Sequence, residues 1–88
     1  MNVMYQEFRV WKRLNERSCI RYCCLRDLGT GRYAVQSADF FYLPIDEQQR
    51  RQLDAQFLEL FMEINPQERC AWFDSVEAAI AAHDEEFA

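Results

Sequence analysis

The chain is expected to fold as an α+β domain, a three-stranded antiparallel β-meander with two main C-terminal helices packed on one face. Three observations predict this. Residues Cys19 to Tyr42 carry apolar side chains in alternation on both sides of Gly29-Thr30-Gly31, the pattern of a hairpin. Beyond Pro44 the apolar period lengthens from two to the helical ~3.6. The 88 residues are half hydrophobic with only two Gly and two Pro, which suits a single globular domain over residues 1–88.

The first element is the most ambiguous. As a strand, residues 3–14 point Phe8, Val10 and Leu14 to one side and Arg9, Trp11 and Arg13 to the other. As a helix they align Met4, Phe8 and Trp11, with Asn2 as the cap. The polar connection Asn15-Glu16-Arg17-Ser18 favours the strand, and the helix stays as the alternative.

The hairpin that follows can be assigned a register. A three-residue loop places Leu28 opposite Arg32, and then Leu25 opposite Val35, Cys23 opposite Ser37, Arg21 opposite Asp39 and Cys19 opposite Phe41. Cys24 then meets Gln36, Tyr22 meets Ala38 and Ile20 meets Phe40. A slip by one residue would set apolar side chains against polar ones throughout. Continued across the Asn15–Ser18 turn, the pattern pairs Leu14 with Cys19, Val10 with Cys23 and Phe8 with Leu25. Lys12, Arg21 and Asp39 then form a charged row at an uncovered margin of that face.

Asp46 and Gln49 read as a capping box opening a helix with Leu53, Phe57, Leu60 and Ile64 on its inner stripe. Asn65-Pro66 ends it and starts a short turn of helix through Cys70. Asp74 and Glu77 read as the cap of a last helix, with a fraying tail from Asp84 to Ala88.

Little catalytic or metal chemistry is encoded. Cys19, Cys23 and Cys24 resemble a zinc cluster only on paper, because strand neighbours point oppositely and residues four apart lie ~13 Å apart. Buried small hydrophobes is the better reading of these thiols. A Cys70–His83 nucleophile pair would need closeness in space, and nothing in the sequence marks either as activated. Asp84-Glu85-Glu86 lacks a cation-binding loop, and Gly29-Thr30-Gly31 lacks a phosphate-binding fingerprint. No enzymatic activity and no cofactor are expected. No apolar run reaches the ~20 residues that cross a bilayer, and the start MNVMYQEFRV lacks the pattern of a signal peptide. A cytoplasmic protein with no membrane partner is therefore expected.

The helices set the functional expectation. A helix packs ~10 Å wide against strands ~4.8 Å apart, so two helices cover one face of such a sheet. The other face, with Arg9, Trp11, Arg13, Ile20, Tyr22 and Phe40, is too apolar to stay bare. Trp, Tyr and Arg are interface anchors, so a homodimer or another protein partner is the expected use of these six residues. A single-stranded nucleic acid is the alternative, since aromatics and arginines on a sheet can stack bases and neutralise phosphates. The distribution of charge is uneven: residues 1–32 hold seven basic and three acidic side chains, a surplus of +4. Against nucleic acid stand the net charge of −5 and a single lysine, Lys12.

Overall fold

The computed structural model describes residues 2–87. Three strands, β1 (Tyr5–Asn15), β2 (Ser18–Asp27) and β3 (Tyr33–Tyr42), form an antiparallel sheet in the order β1-β2-β3. Helix α1 (Glu47–Glu63), the single turn α2 (Pro66–Arg69) and helix α3 (Val76–Phe87) follow. The α+β meander is as expected, and the first element is a strand. No described helix is long and apolar enough to cross a membrane.

The hairpin register holds over half its length. Cys19 faces Phe41, Ile20 faces Phe40, Arg21 faces Asp39, Tyr22 faces Ala38 and Cys23 faces Ser37. A bulge after Cys23 then moves Cys24 opposite Val35 and Leu25 opposite Ala34, one residue from the expected pairing. Gln36 is the extra residue. It is buried, and its Nε2 donates to the Phe57 carbonyl of α1 at 3.0 Å. At the turn, Asp27 Oδ1 accepts from Gly29 N at 2.8 Å and Thr30 N at 3.2 Å. Gly31 takes φ +74, the left-handed region that glycine enters without strain.

The β1–β2 register differs from the expected one by a residue. Arg13 faces Cys19, Trp11 faces Arg21, Val10 faces Tyr22 and Phe8 faces Cys24. The cause is an irregularity between Arg13 and Asn15 that absorbs Leu14 before the tight turn to Ser18. Asn15 Oδ1 fixes that turn by accepting from Arg17 N at 2.8 Å. One residue of slip carries every β1 side chain to the opposite face. Lys12 therefore lies across the sheet from Arg21 and Asp39, away from the charged row in which it was expected.

The two main helices divide between the faces of the sheet, where both were expected on one face, so neither face is left bare. Arg21 points to α1, its Nη1 lying 2.9 Å from Asp54 Oδ1. Its neighbour Tyr22 points to α3 and donates its hydroxyl to Asp84 Oδ1 at 2.8 Å. Consecutive strand residues face opposite ways, so α1 and α3 lie on opposite faces. Burial agrees: Arg21, Tyr22, Cys23, Cys24 and Leu25 are all buried, which requires cover on both sides. Between the helices the chain crosses at the β3 edge, where Tyr33 and Phe73 exchange backbone hydrogen bonds of 2.8 Å.

Asp46 caps α1 as expected, accepting from Gln48 N and Gln49 N, and Asn65 caps α2 by accepting from Gln67 N. For α3 the cap is Ser75, whose Oγ accepts from Ala78 N at 3.1 Å. Asp74 instead lies exposed, 3.4 Å from Arg32 Nε. The expected fraying tail is helical through Phe87, because Asp84 is tied to Tyr22 and His83 and Phe87 pack ring to ring at 4.7 Å.

Candidate functional site: the β1 edge and Trp11

The six residues singled out in the sequence fall into two groups of three. Arg9, Trp11 and Arg13 sit on the α1 face of β1, opposite Cys23, Arg21 and Cys19. Ile20, Tyr22 and Phe40 sit on the α3 face. Tyr22 is buried beneath α3, its ring edge-on to His83 at 6.2 Å. Burial and the Asp84 hydrogen bond push the Tyr22 hydroxyl up to about 12. Ile20 and the half-exposed Phe40 line a cavity of about 240 Å³ with Lys12, Tyr22, His83 and Phe87. His83 Nδ1 is buried without a hydrogen-bond partner among the described residues.

On the α1 face the charges form a chain across all three strands. Asp39 Oδ2 accepts from Arg21 Nη2 at 2.8 Å and from Arg21 Nε at 3.2 Å. Arg21 Nη1 is 2.9 Å from Asp54 but without hydrogen-bond geometry, so that contact is Coulombic. Asp54 also accepts from Arg9 Nη2 at 3.2 Å, and Arg9 Nε donates to Glu7 Oε1 at 3.3 Å. Arg21 is 0% exposed, with its guanidinium 5.0 Å from the Phe41 ring centre. Burial opposes its charge, but Asp39 and Asp54 outweigh burial and its pKa goes up. The Arg21–Asp39 pair read from the sequence is thus present, and it lies inside the molecule instead of at a margin.

Trp11 stands on this buried network and packs on Phe41 at 6.0 Å between ring centres, yet 55% of it remains exposed. Beside it runs an open backbone. Leu28 N donates to the Met4 carbonyl at 3.0 Å, so Met4 belongs to a hydrogen-bonded pair with β2. Such pairs alternate along an antiparallel ladder, so Gln6, Phe8, Val10 and Lys12 also turn their backbone groups toward β2. The N–H and C=O groups of Tyr5, Glu7, Arg9, Trp11 and Arg13 consequently point out of the sheet. Among the described residues β1 has no strand neighbour except β2.

Glu7, Asp54 and Phe41 belong to this site and were not singled out in the sequence. The signal for Glu7 was present, since it is the only acid among the eleven residues of β1. Asp54 gave none, because its role depends on how α1 crosses the sheet.

The thiols lie on separate faces. Cys19 and Cys23 share the α1 side, Cys24 lies on the α3 side, and all four cysteines are free. Burial pushes Cys24 up to about 12 and raises Cys23 as well. Cys70 and His83 do line one cavity, of about 250 Å³. Burial raises the Cys70 thiol, with Arg69 offsetting only part, which is the reverse of an activated nucleophile. Among the described residues no three His, Cys, Asp or Glu side chains are grouped to hold a metal ion. The chain matches no family model, no curated protein and no solved structure.

Proposed function

We propose that the protein is a non-enzymatic interaction module that self-associates through the β1 side of its sheet. The observation that carries this is the uncovered β1 edge beside the half-exposed Trp11. A strand of eleven residues without Pro or Gly, with unpaired backbone groups, is a template for another strand. Trp and Arg beside it are the residue types that anchor interfaces. Single-stranded nucleic acid is less well supported, because the Arg9 charge is already opposed by Glu7 and Asp54.

Light scattering after size exclusion tests this. The wild type should elute as a dimer, and Trp11→Ala should weaken the dimer while keeping the far-ultraviolet circular dichroism. A wild type that stays monomeric at high protein concentration refutes self-association.

A further inference from the structure

We infer that two copies pair antiparallel along β1 about a two-fold axis at Val10, making one continuous six-stranded sheet. The inference rests on the self-association proposed above and specifies how it is made.

Geometry restricts the choice of register. A two-fold axis normal to the sheet keeps the α1 face on one side in both copies. Facing residues must then share a face, and the outward backbone groups must meet each other. Only pairings of an odd residue with an odd residue, and of an even one with an even one, satisfy both conditions.

Three such registers, centred on Arg9, Val10 and Trp11, keep nine or more of the eleven strand residues paired. Centred on Arg9, the pairing sets Arg9 directly against its own copy and Glu7 against Trp11. Centred on Trp11, it sets Arg9 against Arg13 on both sides of the axis. Like charges directly opposite are destabilising. Centred on Val10, Glu7 faces Arg13 of the second copy, Arg9 faces Trp11, and Val10 faces Val10. Each acid meets a base, and each Arg9 lies beside an indole ring.

The Val10 register also has the greatest overlap, aligning Tyr5 of one copy with Asn15 of the other. Its regular part runs from Glu7 to Arg13, stopping short of the irregularity before Asn15. Arg13 is available for the pairing, having no carboxylate partner among the described residues. Strand β3 is a poorer edge, since Phe73 already pairs with it at Tyr33.

A cysteine and a charge swap test the register. Val10→Cys should give a covalent dimer under mild oxidation, where the wild type with its four native thiols does not. Glu7→Arg should weaken the dimer at least about tenfold, because the introduced arginine then faces Arg13 on both sides of the axis. Adding Arg13→Glu to Glu7→Arg should restore it. If the wild type is dimeric but Val10→Cys does not cross-link, or the double swap does not rescue, the register is wrong while self-association stands. If the wild type is monomeric, both fail together.

Discussion

Removing the Asp39 carboxylate tests the packing that holds Trp11 in place. Asp39 is the acceptor for both Nε and Nη2 of Arg21, a side chain with no exposure to water. Asp39→Ala leaves that guanidinium with the Asp54 carboxylate, itself 36% exposed, and the face of Phe41. Breaking a buried ion pair by removing one partner costs about 3–5 kcal/mol. The surviving Asp54 contact places the expected loss near the lower end, about 3 kcal/mol. A chain of this length has roughly 4–13 kcal/mol of stability in total, so the change should be plain. At about 4–8 °C per kcal/mol for a domain this size, Tm should fall by about 12–24 °C. The assay is thermal unfolding by circular dichroism at one fixed protein concentration, because self-association makes Tm concentration-dependent. Arg21→Met combined with Asp39→Ala should recover most of the loss, since no charge is then left buried. A fall below about 4 °C for Asp39→Ala, or no recovery in the double variant, would refute the reasoning.

Two further outcomes follow from named contacts. Because the folded state holds the Tyr22 hydroxyl up to about 12, against roughly 10 in the unfolded chain, its contribution is complete below pH ~10 and is lost as pH rises toward 12. Melting curves at rising alkaline pH should therefore decline more steeply for the wild type than for Tyr22→Phe, and equal slopes would contradict the burial of this hydroxyl against Asp84. At the start of α1, Asp46→Ala frees the amides of Gln48 and Gln49 and should cost about 1 kcal/mol, or about 4–8 °C. An unchanged Tm would show that the cap carries no weight.

The parts of the fold legible in the sequence were those where a local rule had one solution. The hairpin register from Cys19 to Cys23 follows from matching apolar with apolar and Arg21 with Asp39, and it holds. Asp46 and Asn65-Pro66 bound α1 by capping chemistry, and they hold too. The bulge at Gln36 was not legible, because its compensation is a hydrogen bond to Phe57 in α1. Nor was the division of helices between the faces. Periodicity shows which stripe of a helix is apolar, but the route of the chain past the β3 edge depends on the Tyr33–Phe73 bridge.

The candidate site turned on one residue of register, and β1 shows why. Phe8 and Val10 give one side of the strand an apolar stripe, and Tyr5 and Trp11 give the other side one as well. Either side could be turned inward at similar hydrophobic gain, so alternation could not choose between them. The choice was made elsewhere, by Leu14 dropping out of the ladder before the turn and by Asp54 of α1 drawing Arg9 and Arg21 to one face. That same choice moved Trp11, together with Arg9 and Arg13, to the face opposite Tyr22 and Phe40. The charge order of β1 was readable in advance: Glu7 lies three residues before Val10 and Arg13 three after it. In a monomer this spacing has no consequence, since Glu7 and Arg13 lie six strand residues, or ~20 Å, apart. Only across a two-fold axis at Val10 do the two charges meet.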